Sequence, residues 1–387
     1  MFDFDSRIER KGTSSVKFDS TLRRGRSPDT IPLWVADMDF AVPQCITDAL
    51  TERIRHGVYG YTEIDESYFQ AVYDWYASRF DYRPEFDWLT GTPGVVYAIA
   101  AAVRAFTCEG DSVLIQRPVY YPFSSVILKN NRKLINNALV YSPEGYKIDI
   151  DDFREKIVKN NVKLFILCSP HNPVSRVWSR AELGAMAEIC LQNDVIIVSD
   201  EIHCDITFSP HTHTVFNTLS KDAAQRTVLC TSAGKTFNLA GLQVSNVFIE
   251  NQELRREFRR EIARTGYSLL NTMGLAATQA AYAKGAPWLD ALLKYLKENY
   301  NLMSHALSEI SGVSRLPLEG TYLQWIDFRY TGLSAKEVEE RISKRAKLWL
   351  SEGKIFGSEG EGFQRINLAA PKQVIQQAAD RLVEAFK

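Results

Sequence analysis

From about residue 90 to 250, short apolar runs alternate with stretches of helical periodicity. The runs are SVLIQ (112–116), KLFILC (163–168), DVIIVS (194–199), TVLCT (227–231) and VSNVFI (244–249). Each is too short for a typical helix and rich in branched side chains, which predicts strands. Between the second and third, Ser179 and Glu182 form a capping box ahead of Leu183, Met186, Ala187, Cys190 and Leu191, one apolar face of a helix. Apolar strands separated by helices predict an α/β fold with a mainly parallel sheet buried on both faces. Beyond about residue 288 the pattern changes. A long helical segment leads to TYLQWIDF (321–328), a charged helix and FQRINLA (363–369); the last helix puts Val374, Ala378, Leu382 and Ala385 on one stripe. The organisation expected is a large α/β domain (46–287), a smaller α+β domain (288–387) and an N-terminal segment (1–45) packing with the latter.

Composition narrows the partners. Of 387 residues, 46 are basic and 47 acidic, for a net charge of −1. No basic excess is available for nucleic acid or an anionic membrane surface, and the longest apolar runs fall far short of a membrane span. Residues 1–19 lack the apolar core of a signal peptide, so a cytoplasmic chain is expected. Six cysteines are scattered with no CxxC pair, which reads as reduced, mostly buried thiols without a disulfide framework or zinc site. The triplet holding His211 and His213 lies in a Ser/Pro/Thr-rich stretch and reads as a surface loop. GSEGEG (357–362) has the wrong spacing for a dinucleotide motif and reads as a mobile loop.

The polar residues gain meaning from where the strands end, because ligands of open parallel sheets gather at the carboxyl ends. KLFILC runs into SPHNP and Asn172; DVIIVS runs into Asp200 and His203; TVLCT runs into Ser232 and Lys235. Singly, Asp200 reads as a helix cap and Asn172 as a turn before Pro173. Their joint occurrence at successive strand ends points to a shared ligand. GTPGVV (91–96) opens a helical segment and offers backbone N–H groups to a phosphate. An amine, an anion, an amide and a phosphate cradle together describe pyridoxal phosphate (PLP), with Tyr120 of RPVYYPF as a flat group for its ring. Lys235, alone among the small residues of TSAGKTFN, is then the amine for the cofactor aldehyde.

At this point the chain resembles fold-type I PLP enzymes of the aminotransferase class I/II superfamily, and within it the bacterial C–S lyase branch of the cystathionine β-lyase and cystalysin type. Nine segments carry the resemblance in order, among them WVADMDF (34–40), GYT (60–62), PVYYPF (118–123), SPHNPV (169–174), SDEIH (199–203), GKTFNLAG (234–241) and GFQRINLAAP (362–371). The resemblance implies a seven-stranded-type sheet between helices and a homodimer. It makes Lys235 the Schiff-base lysine, Asp200 the partner of the pyridinium nitrogen and Asn172 a donor to the phenolate oxygen. His203 stands where many aminotransferases have tyrosine. Tyr120 stacks on the ring, Val95 and Val96 hold the phosphate through their N–H groups with the Ser232 hydroxyl, and Arg365 grips the substrate carboxylate. Tyr61 reaches the phosphate of the neighbouring subunit.

Three departures stand out: Ser175 for the glycine usual after HNPV, Tyr97 for the proline frequent after PGVV, and Gly234 for a hydroxyl residue before the lysine. At Ser175 either φ < 0 or a small strain is expected. The reaction implied is α,β-elimination from a small sulfur-containing amino acid such as L-cystathionine or L-cysteine, giving thiol, pyruvate and ammonia. An aminotransferase would use the same residues. It would commonly carry an arginine eight positions after the lysine, where this chain has Gln243. A PLP-binding protein with a regulatory protein partner is the third reading.

Overall fold

The computed structural model describes residues 2–142 and 144–387. The strands in chain order begin with β1 (Ile31–Pro32), β2 (Leu89–Thr92), β3 (Ser112–Ile115) and β4 (Lys133–Asn136), then a hairpin of β5 (Val140–Ser142) and β6 (Gly145–Lys147). They continue with β7 (Val162–Cys168), β8 (Ile196–Asp200), β9 (Thr227–Thr231) and β10 (Ser245–Phe248). Seven of these form one sheet in the order β2-β10-β9-β8-β7-β3-β4. From β9 to β4 every pairing is parallel, whereas β10 runs against both of its neighbours. All five expected strands form. The two unanticipated ones, β2 (LTGT) and β4 (KLIN), lie at the sheet edges, where half-solvated positions leave little apolar signal.

The middle strand shows why a continuous apolar run was needed. From Leu164 to the end of β7, Leu164, Ile166 and Cys168 enter one core, and Phe165 and Leu167 enter the other. Successive residues point to opposite faces, so a strand covered on both sides must be apolar at every position. The helices Val95–Phe106 and Gln252–Arg264 supply residues to the first core, and Ile150–Lys159 and Arg180–Gln192 to the second. The last of these starts at the expected capping box: the Ser179 side chain accepts from the Glu182 N–H, and the Glu182 side chain accepts from the Ser179 N–H.

The remaining strands are β11 (Ser314–Arg315), β12 (Leu323–Asp327), β13 (Leu348–Trp349), β14 (Ser351–Glu352) and β15 (Phe363–Asn367). An antiparallel sheet runs β11-β12-β15-β14, and β13 pairs in parallel with β1. The N-terminal stretch continues along this second sheet: the Asn367 N–H donates to the Leu33 carbonyl at 2.9 Å and the Asp39 N–H to the Ala369 carbonyl at 2.9 Å. It is also tied by charge. Fully buried Lys17 lies 2.8 Å from the Asp39 carboxylate, and Arg10 bridges Asp37 and Asp39 at 2.6 Å each.

Two expectations change. The glycine-rich segment before β15 is packed: a Cβ at Gly360 would lie 2.1 Å from the Gly353 carbonyl oxygen, so two backbones meet where only glycine fits. His213 is not on the surface. Its Nε2 lies 2.6 Å from the buried Glu201 carboxylate, while His211 stays partly exposed. The apolar neighbours of His213 come from elsewhere in the chain, such as Phe80, so its local sequence looked like a loop. Cys168, Cys190, Cys204 and Cys230 are buried, and all six thiols are free. Among the described residues no helix is long and apolar enough to cross a membrane, and no cluster of three or more His, Cys, Asp or Glu side chains could hold a metal ion.

Candidate active site

Asp200 is the last residue of β8, Asn172 follows β7, and Lys235 follows β9 on the short helix Ala233–Thr236 capped by Ser232. The parallel strands therefore deliver all three to the same edge of the sheet. Val95 and Val96 open the helix Val95–Phe106, whose first N–H groups have no acceptor within the helix. Tyr120 precedes the helix Pro122–Lys129, and Arg365 arrives from the second sheet at the centre of β15. These residues, with His203 and Ser232, line one cavity of about 1430 Å³. Tyr61 does not: it is 97% exposed on the surface of the single chain.

The Lys235 amine donates to the Ala36 carbonyl at 2.6 Å, and the Tyr322 hydroxyl donates to the same carbonyl at 2.9 Å. Desolvation pulls the amine down to about 8, helped by the cationic Arg365 and opposed by the nearby Asp37 and Asp200 carboxylates. Its side chain keeps some surface on the cavity, so the amine is desolvated by its walls yet reachable. Asp200 is pushed up to about 7, chiefly by burial, with the Ile202 N–H at 3.1 Å favouring its charged form. A buried carboxyl held this high regains its charge when a cation comes beside it.

Arg365 is 5% exposed and desolvation lowers it to about 10. It donates to Asn172 Oδ1 at 2.9 Å, to the Trp34 carbonyl at 2.7 Å and to Ser351 Oγ at 3.2 Å, while its Nε is buried without a partner. Asn172 thus has its oxygen engaged; among the described residues its side-chain NH2 has no acceptor, which leaves it for one in the cavity. His203 Nδ1 is likewise buried and unpartnered, and burial holds the imidazole well below its ordinary range. Burial also pushes the Tyr120 hydroxyl up to about 12, keeping the ring neutral. The Ser232 hydroxyl donates to the Val244 carbonyl at 2.6 Å and accepts from the Gly234 N–H at 3.0 Å. A hydroxyl has one proton, so serving an anion requires it to turn away from Val244.

The three departures have local accounts. Ser175 adopts φ +63°, the left-handed region, and its hydroxyl donates to the Leu323 carbonyl, so this serine takes the strained alternative. The Tyr97 hydroxyl bonds Thr265 and its ring packs near Tyr267 at the edge of the cavity. A Cβ at Gly234 would come within 3.1 Å of Ser232 Oγ, a tight fit beside the residue that caps the lysine helix.

Residues 28–382 match the model for aminotransferase class I and II. The chain belongs to that family. Cystathionine beta-lyase PatB of Bacillus subtilis (strain 168) is 42% identical over 99% of this chain and 100% of its own length. Protein MalY of Escherichia coli (strain K12) is 31% identical over 100% of this chain and 99% of its own. The structure of cystalysin from Treponema denticola, which contains a pyridoxal 5'-phosphate cofactor, superposes with a TM-score of 0.96 at 37% identity over 100% of this chain and 98% of that one. The architecture is accordingly that of the fold-type I PLP enzymes.

The residues present fit such a cofactor. The cavity offers an accessible amine, a buried carboxyl with room for a cationic partner, an unpaired amide, a flat aromatic and a helix N-terminus. Sequence reasoning missed two supporting features. The Ala36 carbonyl, which aims the lysine, is a backbone atom and leaves no sequence signature. The Glu201 carboxylate, one residue past Asp200, accepts from Ser199 Oγ at 2.8 Å and the Phe216 N–H at 2.9 Å as well as lying against His213. An unbroken acid pair at 200–201 followed by a histidine in a turn was its only trace.

Proposed function

We propose that the chain is a PLP-dependent carbon–sulfur β-lyase, converting cysteine-type S-conjugates to thiol, pyruvate and ammonia. The observation that carries this reading is the convergence of Lys235, Asp200 and Arg365 on one cavity in a chain 42% identical to a cystathionine β-lyase. When bound, the cofactor supplies an aldehyde for the substrate amine and an electron sink for the pair left at Cα. Asp200 would hold the ring nitrogen in its cationic form, Asn172 would donate to the ring oxygen, and Tyr120 would offer its ring as a flat surface. The free N–H groups of Val95 and Val96 at the positive end of their helix would receive the phosphate. Arg365 fixes the substrate carboxylate and so directs the Cα–H bond toward Lys235. That amine, at about 8 in the free protein, needs little driving force to accept the Cα proton near neutral pH. The pair left at Cα forms the Cα–Cβ double bond as the C–S bond breaks, its own pair leaving with sulfur as thiolate, and the three-carbon remainder takes up water to give pyruvate and ammonia.

Gln243 supports elimination over amino transfer: it lines the cavity where an aminotransferase commonly has an arginine against the phosphate. Incubating the holoprotein with L-cystathionine or L-cysteine should release pyruvate. Rapid exchange of alanine with 2-oxoglutarate, with no pyruvate from either sulfur substrate, assigns the chain to the aminotransferases instead.

The active unit in this reading is a cytoplasmic homodimer, with residues 46–287 and 288–387 as its large and small domains. Tyr61 is exposed beside Ile54, Val58 and Tyr59, an apolar surface suited to a partner copy. Mixing a Tyr61→Phe chain with a Lys235→Ala chain should restore part of the activity, because one site per heterodimer is intact. Proven subunit exchange without recovery removes Tyr61 from the neighbouring site.

A further inference from the structure

The cavity extends past the groups that the reaction uses. Its outer part is walled by Trp34 and Trp349, stacked at 4.2 Å with planes 14° apart. This wall adjoins the carboxylate clamp directly, since the Trp34 carbonyl accepts from Arg365 at 2.7 Å. Arg24 lies over both rings, at 5.2 and 5.6 Å, and Arg26 lies 4.6 Å from the Trp349 ring. Arg26 is held by Glu339 at 3.5 Å. Across the cavity, Arg117 donates to Ser124 Oγ at 2.9 Å and keeps a buried Nε without a partner. Lys354 and Glu352 stand exposed at the mouth.

Among the described residues no carboxylate oxygen lies within 4.0 Å of the side-chain nitrogens of Arg24, Arg117 or Lys354. The mouth thus presents Arg24 and Lys354 against Glu352, while Arg117 has the Glu359 carboxylate packed beside its side chain at Gly357, which leaves a net excess of one cation in a chain whose net charge is −1. A local excess on a near-neutral protein is a property of this cavity rather than of the composition. A substrate whose α-carboxylate sits on Arg365 is placed next to this wall, because the Trp34 carbonyl accepts from the same guanidinium.

We infer that the outer cavity is a subsite for the leaving group, and that it selects cysteine S-conjugates whose sulfur substituent carries a net negative charge. Trp34 and Trp349 pack against the thioether chain, while Arg24 and Arg117 bind the distal anion; Lys354 adds to the field. This assignment rests on the lyase reading for its chemistry and on the cavity alone for its charge preference.

The test compares holoenzyme turnover of S-carboxyethyl-L-cysteine with that of S-propyl-L-cysteine, which matches it in length without the charge. The acidic conjugate should have a kcat/KM larger by about ten-fold, the scale of one charge-assisted hydrogen bond at a partly exposed site. Cystathionine, whose distal half carries both charges, should fall between them. Arg24→Gln and Arg117→Gln should each reduce the acidic-to-neutral ratio several-fold. Arg24 is exposed, so its variant tests the subsite even if Arg117→Gln misfolds. A ratio near one in the unaltered enzyme, a ratio indifferent to Arg24→Gln, or cystathionine ahead of the acidic conjugate overturns the inference. If neither conjugate yields pyruvate, the lyase reading fails, but the same ratio is still read from the concentration dependence of the cofactor's absorbance change on mixing.

Discussion

Two lysines distant in the chain, Lys17 and Lys235, both meet residues 36–39 of the N-terminal stretch and have opposite fates. Lys17 is fully buried and lies against the carboxylates of Asp39, at 2.8 Å, and Asp37, at 3.5 Å, with Arg10 completing the cluster. Lys235 reaches the same segment and hydrogen-bonds only the Ala36 carbonyl. The neighbouring carboxylate of Asp37 is felt at a distance and is outweighed by desolvation. A lysine given carboxylate partners is a fixed cation that ties an N-terminal segment to a sheet. One given a carbonyl and a dry cavity is a poised amine. Residues 36–39 supply both environments, so the residue that anchors and the residue that reacts are separated by the choice between a backbone oxygen and a side chain.

Exchanging the roles should separate the two kinds of loss. Lys235→Ala is expected to abolish covalent cofactor attachment and to lower turnover by about four orders of magnitude, about 5 kcal/mol of transition-state stabilisation. Its urea midpoint should stay close to that of the parent, because no buried carboxylate loses a partner. A large stability loss would mean that Lys235 is structural as well. Borohydride reduction and peptide mapping of the parent should label Lys235.

Lys17→Met should do the reverse. Leaving Asp37 and Asp39 with Arg10 alone removes one partner from a buried charge cluster, at a cost of about 3 kcal/mol. Equilibrium unfolding measures that loss, while kcat of the protein still folded should change little. An unchanged unfolding free energy breaks the contrast.

A pH series tests the poise itself. Attack on an aldehyde needs the neutral amine, so the rate at which apoprotein takes up PLP should rise about ten-fold per pH unit and level off above about 8. The linkage has a matching sign. Between about 8 and the ordinary lysine value the unfolded chain holds a proton that the folded one has released, so this group makes the apoprotein more stable as pH rises through that window. Asp200 acts in the opposite direction, its folded carboxyl keeping a proton up to about 7, so its contribution falls as pH rises from about 4 to 7. An uptake rate that keeps climbing past pH 9 would place the amine in an ordinary environment.

The smallest effect concerns Ser175. Glycine there relieves a left-handed φ but forfeits the hydrogen bond to Leu323, two terms of about 1 kcal/mol each and opposite sign. Ser175→Gly should leave the unfolding free energy within about 1 kcal/mol of the parent. A larger gain would mean that the hydroxyl contributes little.

The difference between the lysines also marks how far the sequence could be read. The central strands, the Ser179 cap and the polar residues just past each strand end were legible because parallel strands between two cores need apolar runs, and such runs stop where the sheet meets solvent. Lys235, Asp200 and Asn172 followed from that. The edge strands β2 and β4 were not legible, since an edge is only half-buried. His213 looked like a loop residue because Phe80 and Glu201, which enclose it, are distant or on another element. Ser175 was open to two backbone conformations until the Leu323 carbonyl fixed one.

By itself, then, the sequence determined the parallel core, the chemical types at its carboxyl edge and the family pattern that orders them, because hydrophobic periodicity and strand termination are local properties of the chain. Only the tertiary structure decided that Lys235 faces a carbonyl while Lys17 faces carboxylates, that Arg365 crosses from the second sheet to bond Asn172, and that Trp34 and Trp349 close into one wall beneath Arg24. Each of these joins residues far apart in the chain, and the energy of a buried charge depends on the few atoms within hydrogen-bond distance of it, which no local pattern records.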